Sequence, residues 1–470
     1  MYLIKVYSIG RLKEVDIDDD IDDIIEEEDE GEEPESKLWR GVESRRYKRN
    51  QKRNAIVSRF LDKEETADAV VIQPRYYGEL LTWALHRYIE VERWKVVKNV
   101  GYRFPKPVYI DVDTGSDERQ NVLRDGTLFI EKGDGRFAVT VDINLRRSNS
   151  VLVTGPAHRK KQVDEFADGV RTIVREQNFY RGKKLELGGQ IRFLDMPGSI
   201  WENLILDADT KDDIRANTIG FLVNRERVAR YGVPAKRGVL LVGEPGTGKT
   251  LACKALLAEA SGITCLVANI DAMDAPPYIL ELYELAEDLS PSIVLIEDID
   301  LIAQERMEFG YSRGSALLTL LSVLDGVKER NGIVTIATTN CQETLDKAIS
   351  RRPSRFDRVI HFSLPTLKHR KEHVSLLCRK IPLDEAVQGY IAIKTEGFTP
   401  AQVQEVVYTL AIGHCQNNDG DKPDVLKFCT EEIDGAISRI NGRNRRHLGF
   451  TGGNHNGSKP DQIMIIGGQR

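Results

Sequence analysis

Gly238–Thr250 reads GVLLVGEPGTGKT. The apolar run Gly238–Val242 enters a complete G-x-x-x-x-G-K-T at Gly243–Thr250, and a helix-compatible run follows as far as Ser261. A strand, a glycine-rich turn and a helix in that order is the setting in which this motif cradles phosphate oxygens. Gly246 and Gly248 bring no Cβ, so the backbone can fold tightly round an anion. The loop's N–H groups and the helix N-terminus supply partial positive charge. Lys249 has the reach for the outer phosphates, and the Thr250 hydroxyl suits a Mg²⁺ shell. The expected contact set is Gly243, Glu244, Pro245, Gly246, Thr247, Gly248, Lys249, Thr250 and Leu251.

Outward from this loop, strands alternate with helices, which predicts a parallel sheet with crossover helices. Thr264–Ala268, Ile293–Ile296, Ile333–Ala337 and Val359–Phe362 read as further strands. Lys249–Ser261, Tyr278–Leu289 and Gly314–Leu324 read as helices. Ile293–Asp300, IVLIEDID, is a buried strand ending in carboxylates. Phosphoryl transfer needs one carboxylate for the metal shell and another to orient water. By position, Glu297 takes the metal side with Thr250, and Asp298 takes the water side. Ile333–Asn340, IVTIATTN, ends in an amide that a parallel sheet brings beside the acidic strand. Leu345–Arg358, LDKAISRRPSRFDR, gathers arginines that can stabilise transition-state charge from a neighbouring subunit. A surface salt-bridge cluster is the plain alternative for them.

The 470 residues are too many for one core. Five regions are expected: an acidic then basic arm to residue 59, an α+β accessory domain over 60–190, the α/β domain over 191–365, a helical lid over 366–441, and a Gly- and Asn-rich tail. In the accessory region, Tyr77–Val97 and Gln162–Asn178 read as helices. Val108–Asp113, Thr127–Glu131, Phe137–Val141 and Val151–Val153 read as strands. No catalytic spacing occurs there, and His158 reads as a surface residue in a basic turn. Val15–Ser36 carries fourteen carboxylates and no basic side chain; without them the net charge of −6 becomes about +8. Such a run reads as a disordered, solvated arm. The basic stretch Lys37–Arg59 that follows has little aromatic interleaving, so nucleic acid is not expected as a partner. No apolar run approaches the roughly 20 residues that span a bilayer. Six cysteines without a C-x-x-C pair argue against zinc or a disulfide framework. The expectation is a cytoplasmic protein without a membrane segment.

GVPAKRGVLLVGEPGTGKT, PSIVLIEDIDLIAQER, LLTLLSVLDGV, IATTN, LDKAISRRPSRFDR and TEGFTPAQVQEVV occur in the order seen in AAA ATPases of the AAA+ type. From about Trp201 to Ala411 the chain resembles that family. The resemblance implies ATP and Mg²⁺ as cofactors and a ring of subunits, with a hexamer as the family's habit. It gives Asn340 a sensor role, makes Arg352 and Arg355 arginine fingers, and places Leu204–Leu206 near the adenine. The Glu-Asp order and the FTPAQVQ stretch are most similar to the mitochondrial Rieske-protein translocase branch, without that branch's membrane anchor. Two departures stand out. Asp271–Tyr278, DAMDAPPY, lacks the glycine of a threading loop, and Pro400-Ala401 stands where the family usually has Gly-Ala.

Three functions fit this reading. The first is an ATP hydrolase that remodels a protein client as a homo-oligomeric ring. The second is an ATP-binding assembly scaffold with slow turnover, suggested by the reversed carboxylates. The third, a nucleic-acid motor, rests on the basic stretch alone.

Overall fold

The computed structural model describes residues 51–115, 119–143, 149–188, 190–196, 201–268, 276–300, 314–325, 331–340, 356–417 and 425–447. The accessory region is a six-stranded antiparallel sheet with helices on both faces. Its strands are β1 (Thr66–Gln73), β2 (Lys95–Val100), β3 (Val108–Asp113), β4 (Arg119–Lys132), β5 (Gly135–Asp142) and β6 (Asn149–Pro156). They lie in the order β1-β6-β5-β4-β2, and β3 also pairs with β4. The 14-residue β4 accepts β3 along its first half and β2 along its second. Helix α1 (51–60) covers one face and places Val57 against Phe129 and Ala138. Helices α2 (Gly78–Val91) and α3 (Lys160–Glu176) cover the other. Leu80, Leu81, Ala84 and Leu85 are fully buried there, as are Val163, Ala167 and Val170. Both sets follow the i, i+3, i+4 spacing of a helix with one apolar stripe.

Arg103 ties this sheet together. Its Nε donates to Asp125 Oδ2 at 2.6 Å, its second guanidinium nitrogen donates to the Ile143 carbonyl at 2.8 Å, and Asp142 lies 3.2 Å away. The Asp125 side chain has no exposure at all. A carboxylate buried that completely is tolerable only when paired and hydrogen-bonded.

The second sheet has seven strands in the order β13-β9-β12-β11-β10-β7-β8. They are β7 (Lys184–Leu187), β8 (Ile191–Phe193), β9 (Lys236–Gly243), β10 (Thr264–Ala268), β11 (Ser292–Ile296), β12 (Ile333–Thr339) and β13 (Arg358–Phe362). All adjacent pairs are parallel except β7–β8. Every residue of β11 and β12 is buried, as expected of strands covered on both faces. Residues from α4 (Ala208–Asn217), α5 (Ile219–Val223) and α7 (Lys249–Glu259) pack on one face, and α6 (Arg225–Ala229) follows α5. α8 (Pro276–Asp288) and α9 (Gly314–Asp325) cover the other. This is the α/β fold of the AAA+ type. A helical unit follows, made of α10 (Leu367–Cys378), α11 (Glu385–Lys394), α12 (Pro400–Asn417) and α13 (Thr430–His447), with its own core.

The structure moves three expected borders. Residues 51–59, assigned to the disordered arm, are helical, because Ile56, Val57 and Phe60 give α1 an apolar stripe to bury. The α/β sheet begins at Lys184 rather than after residue 190. There β7 pairs parallel with β10, and the Lys184 ammonium donates to the carbonyls of Ala260 and Ile263. The lid's last helix runs to His447, past residue 441. The remainder of the acidic and basic arm and the tail from residue 448 lie outside the described residues. Among the described residues no helix is long and apolar enough to cross a membrane.

Candidate functional site

The sheet order positions the site. β12 lies between β9 and β11, so the residue ending β12 stands between the loop after β9 and the carboxylates after β11. Lys249 Nζ donates to Asn340 Oδ1 at 2.8 Å, and to the Gly243 and Glu244 carbonyls at 2.6 and 3.0 Å. Asn340 Nδ2 donates to Asp298 Oδ1 at 3.0 Å. Asn340 is therefore a bridge between the loop lysine and the second carboxylate. Burial pulls the Lys249 ammonium below its usual pKa, while nearby Asp298 and Asp300 act in the opposite direction.

The loop has the expected backbone. Gly246 has φ +81° and Gly248 φ +106°, a region that L side chains rarely adopt. A Cβ on Gly246 would stand 2.8 Å from Ala401 Cβ, and one on Gly248 would stand 3.0 Å from Leu204 Cδ1. Thr247 is buried, with its hydroxyl on the Glu244 carbonyl at 2.8 Å. Glu244 and Pro245 are exposed, Leu251 is partly buried behind the loop, and Thr250 is exposed at the cleft.

Asp298 also has a left-handed backbone, with φ +49°. Asp and Asn enter that region more readily than Glu, because their short side chains bond locally. The reversed Glu-Asp order thus matches the backbone at position 298. The Asp298 N–H donates to Thr338 Oγ1 at 2.9 Å. Glu297 Oε1 is buried and has no hydrogen-bond partner among the described residues. An unpartnered buried carboxylate oxygen is a donor of the kind that a hard cation or its water shell takes. Beneath the loop, burial and the neighbouring Glu297 charge hold the Cys253 thiol well above its usual pKa, so it remains an inert thiol.

The helical unit closes the cleft. Pro400 occupies the first position of α12, where a missing N–H costs nothing. Thr399 and Gln402 cap the helix reciprocally: the Thr399 N–H donates to Gln402 Oε1 at 2.8 Å and the Gln402 N–H to Thr399 Oγ1 at 3.3 Å. The Ala401 N–H donates to the Gly246 carbonyl at 3.2 Å, joining the two units at the loop. His373 Nε2 lies 3.0 Å from the Pro400 carbonyl, and burial holds the His373 pKa below the usual value. Together these residues enclose a cleft of about 450 Å³, with Lys249, Asp298 and Asn340 on one side and His373, Ala401 and Gln404 on the other.

Lys249, Asp298 and Asn340 were all expected from the sequence, and the structure brings them into contact. Arg352 and Arg355 lie outside the described residues, as do residues 271–275 of the DAMDAPPY stretch. Tyr278, the last residue of that stretch, lies under the Arg75 guanidinium of the accessory domain at 4.0 Å. Leu204 is 3% exposed and packs with Leu206 beside the loop. Asp300, Thr338 and His373 were not foreseen. The first two stand inside quoted motifs, but nothing local distinguishes them, and His373 reaches the cleft only through the packing of the lid.

Residues 239–364 match the family described as ATPase family associated with various cellular activities (AAA). An ATP-dependent zinc metalloprotease FtsH of Parabacteroides distasonis is 34% identical over 246 residues, covering 50% of this chain and 35% of that protein. An ATP-dependent zinc metalloprotease FtsH 2 of Phytoplasma mali is 31% identical over 268 residues, 55% of this chain and 38% of its own. The mitochondrial ATP-dependent zinc metalloprotease FTSH 3 of Oryza sativa subsp. japonica is 36% identical over 208 residues, 41% of this chain and 26% of its own. The chain thus spans little more than a third of the length of the first of these relatives. The glycine-rich loop after β9, the carboxylates after β11 and the bridging amide after β12 all lie within residues 239–364, the part of the chain that is similar to AAA ATPases.

Proposed function

We propose that this protein hydrolyses ATP at the cleft under Lys249 and uses the cycle to move the lid against the rest of the chain, remodelling a protein client. The observation that carries this reading is the chain of contacts from Lys249 through Asn340 to Asp298. It supports reading Lys249 as the phosphate-binding cation and Asp298 as the water-orienting carboxylate, both at the carboxyl end of the parallel strands. The loop N–H groups and Lys249 hold the polyphosphate. Thr250 and Glu297 would hold Mg²⁺, which when bound neutralises charge developing on the phosphate oxygens. Asp298 accepts a hydrogen bond from the attacking water. The water oxygen bonds to the γ-phosphorus as the bond to the β,γ-bridging oxygen breaks. The water's proton passes to Asp298 and on to solvent, leaving ADP and phosphate. Asn340 keeps the carboxylate aligned. Leu204 and Leu206 form the apolar wall for the base.

A homo-oligomeric ring, hexameric by resemblance, belongs to the same proposal, with Arg352 and Arg355 completing the site of the next subunit. The relatives' names state ATP dependence and proteolysis. Only ATP dependence is carried over, because the matched portions are a minority of those proteins. A cytoplasmic location is part of the reading. A slow ATP-binding scaffold is the second reading, favoured by the unusual carboxylate order at Glu297 and Asp298.

Steady-state hydrolysis against protein concentration, wild type beside Lys249→Ala and Arg355→Ala, tests both. Specific activity should rise with concentration, vanish in Lys249→Ala, and vanish in Arg355→Ala with ATP still bound. ATP binding with negligible wild-type turnover at every concentration would refute hydrolysis and leave the scaffold.

A further inference from the structure

Two side chains beside the site have no role in the chemistry above, yet both hold groups that do. Asp300 is 3% exposed, and its Oδ1 accepts the Asn340 N–H at 3.2 Å. Thr338 is 1% exposed, and its Oγ1 accepts the Asp298 N–H at 2.9 Å. The two bonds cross. A side chain of β12 fixes the backbone after β11, and a side chain from beyond β11 fixes the backbone after β12. Between them lies the contact from Asn340 Nδ2 to Asp298 Oδ1 at 3.0 Å.

Resting on the hydrolytic reading, we infer that Asp300 is a positioning residue, acting through Asn340, that sets the alignment of Asp298 during ATP hydrolysis. Asp298 needs such support. Its left-handed backbone, φ +49°, costs a non-glycine residue free energy and persists only where its surroundings over-determine it. The neighbouring strands alone do not supply this, because the β11–β12 ladder ends with Ile296 opposite Ala337, ahead of all three groups. Beyond that point the crossed bonds from Asp300 and Thr338 take over the function of the ladder. Asp300 acts on the Asn340 backbone through an acceptor oxygen, so the oxygen matters to this role and the charge does not. Lys249 keeps its two carbonyl partners whichever residue stands at 300, and the Asp300 charge that favours its ammonium is lost in Asp300→Ala and Asp300→Asn alike, so comparing the two variants isolates the acceptor oxygen.

Turnover and nucleotide affinity measured on the full chain separate this role from plain stabilisation. Asp300→Ala should lower kcat at least tenfold with the Kd for ATP within threefold of wild type. Asp300→Asn retains an acceptor oxygen and should keep kcat within threefold. Thr338→Val, a near-isosteric change, should reproduce the kcat defect of Asp300→Ala, and Thr338→Ser should rescue it. Thr338→Val carries the test if Asp300→Ala fails to fold. Wild-type kcat in folded Asp300→Ala, or in Thr338→Val, would overturn the inference alone. Equal loss in Asp300→Ala and Asp300→Asn would overturn it too, since charge would then be the cause. Wild-type turnover no higher than that of Lys249→Ala would overturn the hydrolytic reading and this inference with it.

Discussion

Replacing Gly246 with alanine tests whether the loop and the lid form one binding surface. Two costs can be read from the structure. At φ +81° an alanine is strained, by about 1–2 kcal/mol for a left-handed non-glycine residue. Its Cβ would also stand 2.8 Å from Ala401 Cβ and 3.1 Å from Thr399 Oγ1, well inside the 3.5–4.0 Å optimum for carbon pairs. The lid must then retreat by several tenths of an ångström, stretching the bond from the Ala401 N–H to the Gly246 carbonyl. Overpacking of this kind costs about 1–3 kcal/mol. A loop relaxed out of its cradle must be forced back when nucleotide binds, so the strain reappears as lost affinity. The two costs together come to about 2–5 kcal/mol, so at 1.4 kcal/mol per decade Gly246→Ala should weaken ATP binding roughly thirtyfold to several thousandfold. The assay is calorimetric titration of ATP into wild type, Gly246→Ala, Ala401→Gly and the double variant. Ala401→Gly removes one side of the clash, so the double variant should regain the steric part of the loss and keep the backbone part. An affinity for Gly246→Ala within threefold of wild type, or no recovery in the double variant, would refute the reasoning.

Two further outcomes concern the accessory domain. Arg103→Ala leaves Asp125 buried without its cation and should destabilise by about 3–5 kcal/mol, measured by urea denaturation; a loss below about 1 kcal/mol would contradict the burial of Asp125. Burial pushes the His86 pKa down to about 4 from the usual 6.5, and its Nε2 accepts the Leu123 N–H at 3.0 Å. Its neutral form therefore contributes stability that is fully present above pH 6.5 and is lost as pH falls from there toward 4, up to about 3 kcal/mol. The drop in unfolding free energy between pH 7 and pH 4.5 should shrink in His86→Gln, and an unchanged drop would place the titrating group elsewhere.

The nucleotide-binding half was legible because several independent signals coincide there. β10 was placed residue for residue, and β9, β11, β12 and β13 within two residues at either end. Fully buried parallel strands are unbroken apolar runs, and glycines or acidic residues mark their ends. The accessory half was harder. The expected helix Tyr77–Val97 ran on into β2 (Lys95–Val100), because the aromatic and apolar residues continue past Val91 without a Gly or Pro to mark the stop. The structure stops the helix at Val91, and Arg93, with φ +58°, turns the chain into the strand. β1 was not foreseen. Its Ala-rich alternation, with Val70 and Ile72 exposed, is the weak signature of an edge strand. β7 is four residues long, and its place beside β10 depends on a strand almost eighty residues away. In the site, residue types and order revealed Lys249, Asp298 and Asn340. The supports at Asp300 and Thr338 are visible only once strand order is known.

The hydrophobic clusters indicate which parts can move when the cleft works. The accessory domain and one face of the parallel sheet share a continuous core, in which Tyr77 and Tyr180 pack with residues of α8 such as Leu282 and Tyr283. Polar contacts reinforce that join. The Tyr77 hydroxyl donates to Asp288, Asn178 Nδ2 donates to Tyr77, and an Arg181 guanidinium nitrogen donates to the Asp288 carbonyl at 3.0 Å. Arg75 pairs with Glu281 at 2.7 Å and lies over Tyr278 at 4.0 Å. α8 is therefore held by the accessory domain at both ends, and the two cannot swing apart without opening a common core. The lid has a separate apolar core and meets the phosphate loop mainly through the first turn of α12. The cleft lies across that weaker seam. A change in what the cleft holds acts first on the lid, while the accessory domain follows the sheet as one body. The shared core and its polar contacts thus leave the seam between the lid and the α/β body, and not the join to the accessory domain, as the place where the proposed cycle would act.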